Sequence, residues 1–234
     1  MHTSGSQIFD FKIFKGNMKN RKVNIFLSIV LIAIIAFGIF FRANQTPTVE
    51  VVGLLPFEGF KPAYTDSIAS IIHKQYGFEV VILETKKLPN NCFVYVKSPR
   101  YRADKLLKYL LEIKPDSVDL ILGLTHKDIS TTKKDQWGKV KEPGSKYGDW
   151  GIFGLGYRPG DAAIVSVYRL SKPGLTIRRL QKVSVHEIGH NLGLKHCTQN
   201  KHCVMDDAAE SIGTIDKGGF DLCEYCHALI DKGH

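Results

Sequence analysis

Apolar residues follow three regimes along the chain. From 23 to 41 the sequence VNIFLSIVLIAIIAFGIFF runs 19 residues without a charge. At 1.5 Å per residue a helix of that length crosses a hydrocarbon core of roughly 30 Å. From 48 to 125 the pattern alternates between two periods. TVEVVGLLPF (48–57) and FEVVILET (78–85) predict strands, and NNCFVYVKS (90–98) a third, short one. PAYTDSIASIIHKQY (62–76) sets Ile68, Ile71, Ile72 and Tyr76 at helical spacing, and YRADKLLKYLLEIK (101–114) does the same with Leu106, Leu107, Leu110 and Leu111. SVDLILGLT (117–125) is almost continuously apolar, as a strand buried on both faces should be.

The pattern lapses at 126–150, HKDISTTKKDQWGKVKEPGSKYGDW, which is polar, basic and rich in turn formers. A structureless loop of that length is uncommon and tends to be functional or mobile. GIFGLGY (151–157) and AIVSVYRL (163–170) flank the turn signal RPGDA and predict a hairpin. LTIRRLQKVSVHEIGHNLGL (175–194) is a long helical stretch closed at Gly193, and the remainder to 234 is loop-rich with four of the five cysteines. Alternating β and α segments imply an α/β class: a mixed, mostly parallel twisted sheet packed on helices, followed by a loop-rich, Cys-rich C-terminal subdomain.

Charge changes the picture at the N-terminus. Lys12, Lys15, Lys19, Arg21 and Lys22 precede the apolar run and only Arg42 follows it. That asymmetry holds the N-terminus in the cytoplasm and sends the rest across the membrane. The expected organisation is a basic cytoplasmic segment at 1–22, a transmembrane signal-anchor at 23–41, a linker at 42–47 and one folded domain at 48–234. The domain is then extracytoplasmic, periplasmic or extracellular. The alternative is a cleaved signal peptide and a secreted protein, although no small-x-small site precedes Gln45. The stretch MKNRKVNIFLSIVLIA from Met18 has the basic start and apolar run of an export signal, so translation is expected to begin there.

The net charge of +9 divides unevenly: residues 1–45 hold six Lys/Arg against Asp10, leaving 26 against 22 for the rest. A surplus of four over the domain is an ordinary solvated surface with no nucleic-acid module, and 24% charged residues with 10% aromatics exclude a disordered chain and a polytopic membrane protein.

The chemistry lies in His186-Glu187-Ile188-Gly189-His190. Residues i and i+4 share a helix face, so both imidazoles can reach one metal, with Glu187 beside them to accept a proton from activated water. Gly193 can take positive φ, ending the helix so that His196 supplies a third ligand. Three neutral nitrogens leave a fourth tetrahedral position open, the layout of a catalytic zinc site. Cys223-Glu224-Tyr225-Cys226 is a CxxC that, with Cys197 and Cys203, makes a four-thiolate site of plausible spacing. Because thiols outside the cytoplasm oxidise, a pair of disulfides is the alternative. Cys92 reads as a buried apolar residue, and His202 and His227 as solvated neighbours.

His186 to His196 spells HExxHxxGxxH, the metzincin zinc signature. With Cys203-Val204-Met205, a 17-residue spacer and the CxxC, the sequence closely resembles the archaemetzincins over most of 48–230. The likeness includes Arg100-Tyr101-Arg102-Ala103, the Gly-Leu-Thr at 123–125 and Ser166-Val167-Tyr168-Arg169-Leu170. Two features depart from that family: five residues rather than four separate Cys197 from Cys203, and a membrane segment precedes the domain.

The resemblance implies an α+β zincin-like fold and a zinc metallopeptidase with two Zn2+, one catalytic on His186, His190 and His196 and one structural on the four cysteines. Met205 would form the Met-turn beneath the metal. Glu187 would be the general base for zinc-activated water, in limited or aminopeptidase-like cleavage. An edge strand from GIFGLGY or from AIVSVYRL would hold an extended substrate. No oxyanion-stabilising partner stands out beyond Tyr168. A peptide or protein substrate, the membrane through 23–41, no nucleic acid and a monomeric state complete the expectation. Two other readings stay open: an exported non-catalytic zinc-binding scaffold docking a partner through the basic loop 133–146, and a zinc hydrolase of a non-peptide amide or ester.

Overall fold

The computed structural model describes residues 31–32, 51–200, 202–207 and 211–231. The chain divides into two units, Met1–Pro47 and Thr48–His234. Segments 1–22 and 42–47, and the apolar run 23–41 apart from Leu31 and Ile32, lie outside the described residues. No helix among the described residues is long and apolar enough to cross a membrane.

Five strands form the main sheet of the second unit: β1 (Val51–Pro56), β2 (Glu79–Ile82), β5 (Leu120–Thr125), β8 (Gly154–Gly156) and β9 (Ala162–Ser166), in the order β2-β1-β5-β9-β8. β2, β1, β5 and β9 are parallel and β8 is antiparallel to β9. β5 and β9 are buried along their whole length, which is why the sequence shows continuous apolar runs there.

Helices cover both faces. α1 (Pro62–Tyr76) and the later α4 (Thr176–Asn191) pack Ile68, Ile72, Leu180, Val183 and Ile188 on one face. α2 (Ala103–Ile113) packs Leu106, Leu107 and Leu110 on the other. α1 has proline at its start and ends at Gly77, whose φ of 75° stops the helix. The mixed α/β layering matches the expected class.

The structure adds a second sheet, which takes in the short strand predicted at 90–98 and part of the stretch 126–150 that the sequence reads as a loop. β3 (Phe93–Tyr95), β4 (Pro99–Arg102), β6 (Ile129–Thr131) and β7 (Trp150–Ile152) form four strands in that order, with a one-turn helix α3 (Gly144–Tyr147) before β7. Buried ion pairs hold it. Arg100 and Arg169 both clasp the Asp128 carboxylate, at 2.7–2.8 Å, and Arg100 also reaches Asp149 at 3.1 Å. Asp128 and Asp149 read as loop residues, yet they are 6% and 2% exposed. The stretch GIFGLGY therefore splits: Gly151 and Ile152 join the small sheet, and Gly154 to Gly156 join the main one.

The tail holds two further helices, α5 (Ile212–Lys217) and α6 (Glu224–Asp231). A third apolar cluster there joins Val185 and Leu194 to Met205, Leu222 and Cys197, Cys203 and Cys226.

Candidate metal centre

α4 carries His186 and His190 on one face, with ring centroids 4.5 Å apart. Beyond the helix, Gly193 takes φ 90° and the Leu194 N–H turns back onto the Gly189 carbonyl at 3.0 Å. That reversal brings His196 in, its ring 5.3 Å from His186 and 5.0 Å from His190. One nitrogen from each imidazole falls within 4.8 Å of the others.

The ring orientations fit a metal. His186 Nδ1 donates to the Val204 carbonyl at 2.9 Å and His190 Nδ1 to the Leu194 carbonyl at 2.8 Å, leaving each Nε2 as the unprotonated donor. Burial, aided by the neighbouring histidines, lowers His186 to about 3 and His190 to about 4, so both rings are neutral at physiological pH as metal ligands must be. His196 Nδ1 faces a side chain instead, the Asp207 carboxylate at 3.6 Å.

Glu187, 7% exposed, projects from the same helix toward β8. Burial pushes its carboxyl up to about 8, against a hydrogen bond from the Gly156 backbone that favours the carboxylate. A cation held by the histidines would favour the carboxylate further.

Met205 lies fully buried beneath the histidines, its sulfur directly against Gly189. The Cys197 N–H donates to the Met205 carbonyl at 2.8 Å, tying this turn to the residue after His196. The Tyr76 hydroxyl donates to the Val185 carbonyl at 2.7 Å and closes the far side.

Cys197, Cys203, Cys223 and Cys226 bring four sulfurs within 4.8 Å of one another. Cys197 to Cys223 and Cys203 to Cys226 are each 3.7 Å. Zn–S bonds of about 2.3 Å in a tetrahedron put sulfurs about 3.8 Å apart, whereas a disulfide needs about 2.05 Å. All five cysteines are free thiols, so the donor set fits a metal rather than two cross-links. Cys92 is buried in the α2-side core as expected, and His202 and His227 belong to neither donor group.

A cleft of about 390 Å³ runs along the histidines and is walled by Trp150, Phe153, Gly154, Val204 and Ile215. β8 is the outer strand of the main sheet, whereas AIVSVYRL supplies the interior strand β9, so the edge over the site comes from GIFGLGY. Tyr168 is 59% exposed and does not line the cleft. The sequence reading missed Gly154, Gly156 and Asp207 as parts of the site. Two glycines at i and i+2 in a strand pattern were the available signal of a close backbone approach.

Three imidazoles around one point, a buried glutamate beside them and an edge strand above define a zincin-type metallohydrolase. The chain matches Peptidase family M54 over residues 46–232. It is 30% identical to the archaemetzincin of Methanopyrus kandleri, across 76% of this chain and 94% of that protein, and 26% identical to that of Haloquadratum walsbyi, across 77% and 99%. The crystal structure of the M. kandleri archaemetzincin superposes with a TM-score of 0.64 at 29% identity, covering 79% of this chain and 95% of that one. The Archaeoglobus fulgidus archaemetzincin complexed with malonate gives 0.61 at 25% identity, covering 76% and 99%. The chain belongs to peptidase family M54, the archaemetzincins, and is a zinc metallopeptidase.

Proposed function

We propose that His186, His190 and His196 hold a catalytic zinc, that Cys197, Cys203, Cys223 and Cys226 hold a second, structural zinc, and that Glu187 is the general base for peptide-bond hydrolysis. The observation that carries this reading is the position of Glu187, buried between the histidines and the edge strand β8. When bound, the catalytic metal supplies a Lewis acid that polarises the scissile carbonyl and lowers the pKa of water. Glu187 then takes the proton and returns it to the leaving amine. The outer edge of β8 offers main-chain groups to an extended peptide, which favours a peptide over a small amide or ester. Limited or aminopeptidase-like cleavage follows the same reading.

The four-cysteine site, with no open position, holds Cys197 and through it His196 and the Met205 turn. The apolar run 23–41 behind its basic cluster supports a membrane-anchored enzyme with residues 48–234 outside the cytoplasm, or a secreted one if the signal is cleaved.

The test incubates the full chain with a diverse peptide mixture beside Glu187→Ala and maps new termini by mass spectrometry. Cuts unique to the native protein and at least about 100-fold slower in the variant support the reading. No cuts from a fully metallated protein would favour the scaffold, and equal cutting by Glu187→Ala would remove the general base.

A further inference from the structure

The three most exposed large hydrophobic side chains among the described residues are Trp137 at 81%, Tyr95 at 74% and Val96 at 67%. All three sit on the small sheet and its connections, none on the main one. Tyr95 and Val96 end the β3 side of the β3–β4 hairpin. Trp137 tops a second, smaller hairpin inside the basic stretch between β6 and β7.

That smaller hairpin is built to present its tip. The Lys141 N–H donates to the Lys133 carbonyl at 3.0 Å, and the Asp135 N–H to the Lys139 carbonyl at 2.8 Å. The Asp135 carboxylate accepts from the Trp137 and Lys139 N–H groups, both at 2.9 Å, and Gly138 turns the chain with φ 80°. At its base, Lys133 and Lys146 lie over the Trp150 ring at 4.8 and 5.6 Å. Lys97 Nζ donates to the Lys146 carbonyl at 2.9 Å, joining the β3–β4 tip to this segment. The turn around Trp137 is ordered by its own hydrogen bonds, so little backbone entropy is left to lose on docking.

The surrounding charge is net positive. Residues 133–146 hold five lysines, no arginine and two acids. Both acids accept backbone hydrogen bonds, Asp135 as described and Glu142 from the Gly144 N–H at 3.0 Å. Lys134, Lys139 and Lys141 have no acid partner among the described residues.

We propose that the Trp137 hairpin is a docking surface for an anionic phospholipid membrane, with Trp137 entering the interface and Lys134, Lys139 and Lys141 meeting the headgroups. Tryptophan and tyrosine prefer the headgroup level, and lysines beside them gain from the negative surface potential. Trp137 is 81% exposed at a turn, and an apolar side chain presented in this way suits a deformable lipid interface better than a preformed protein groove. Lysines without arginine argue against base or bidentate phosphate readout by a nucleic-acid binder. Because Thr131, Lys133 and Trp150 also line the cleft, docking would set the cleft mouth beside the bilayer. The inference does not depend on residues 23–41.

The test must not depend on them either, since an apolar anchor would carry the chain onto any vesicle. The chain has two tryptophans, so in Trp150→Phe all tryptophan emission comes from Trp137. This full-length variant is added to phosphatidylcholine vesicles with and without phosphatidylglycerol, including brominated acyl chains as quencher. The proposal expects a blue shift and quenching of Trp137 on the anionic vesicles, lost as salt rises. Substituting Ser for Lys134, Lys139 and Lys141 together should weaken the response about fivefold per lysine removed. The same response on both vesicle types, no response on either, or a response unchanged by the lysine substitutions overturns it. A shift with polyuridylate in place of lipid, without quenching by brominated chains, also overturns it and assigns the tip to nucleic acid.

Discussion

Gly154 and Glu187 occupy space that only a glycine can share. A β-carbon on Gly154 would stand 2.6 Å from Glu187 Oε1 and 2.8 Å from its Cγ, and one on Gly156 would stand 2.8 Å from the Glu187 carbonyl. The edge strand thus lies against the glutamate with no side chain between them. The strand alternation that turns these glycines to α4 turns Leu155 into the core on the other side.

Gly154→Ala is expected to displace the Glu187 carboxylate while leaving the histidines and cysteines in place. A shift on the order of 1 Å costs roughly 100-fold in rate. Peptide turnover should fall by that amount, with metal content unchanged and KM altered much less than kcat. Full activity would mean that the carboxylate moves freely or has no part in proton transfer.

Gly189→Ala opposes two forces. Alanine is the better helix residue by about 1 kcal/mol. Its methyl, however, would collide with the Met205 sulfur and stand 3.2 Å from the Tyr76 hydroxyl. Overpacking of this kind costs about 1–3 kcal/mol and should win, lowering the unfolding midpoint. Met205→Ala leaves a cavity and should destabilise by about 2–5 kcal/mol. The double variant should cost less than the two together, because each change relieves the other. Additive losses in denaturant unfolding would show that the two side chains do not touch.

Cys223→Ser removes one donor from the four-sulfur group. Elemental analysis should show one metal fewer per chain, thermal unfolding should start earlier, and hydrolysis should fall because the His196 and Met205 turns loosen together. Normal melting with full metal content would refute the second site.

These outcomes bear on how much of the molecule was legible in its sequence. α1 was read to the residue at both ends, because its apolar spacing, opening proline and closing glycine all agree. The histidine group was equally plain, since i, i+4 and a glycine-led turn are local rules. Of the small sheet, the run 90–98 was read as a short strand and contains β3, but the sheet itself was not. Its strands are three or four residues long, and Arg100, Asp128 and Asp149 hold it through buried ion pairs that look like loop polarity in one dimension. Nor do α5 and α6 announce themselves, with six and eight residues and little apolar repeat. Gly154 owes its role to a contact with a residue 33 positions away, which no local pattern encodes.

α5 walls the cleft through Thr214 and Ile215 and is held to α4 by two basic side chains. Lys182 Nζ donates to the carbonyls of Ile215 and Gly218, at 2.7 and 2.6 Å. Arg179 makes a two-point clasp on Asp216 at 2.7 and 2.6 Å, and its remaining nitrogen donates to the Leu170 carbonyl. The guanidinium holds the Asp216 carboxyl below its ordinary value. A lowered folded pKa means that the pair contributes its full stability above the unfolded carboxylate value, about 3.9, and loses it as pH falls through the folded one. Asp216→Asn keeps the shape and removes the charge. Breaking a fully buried pair costs about 3–5 kcal/mol. Asp216 keeps 31% of its side chain exposed, so about 1–3 kcal/mol is expected at neutral pH. Urea unfolding of the two proteins from pH 7 downward should show that gap closing below about pH 4. A gap that persists at low pH would mean that the asparagine disturbs packing, and a gap absent at neutral pH would mean that Lys182 alone holds the cleft wall.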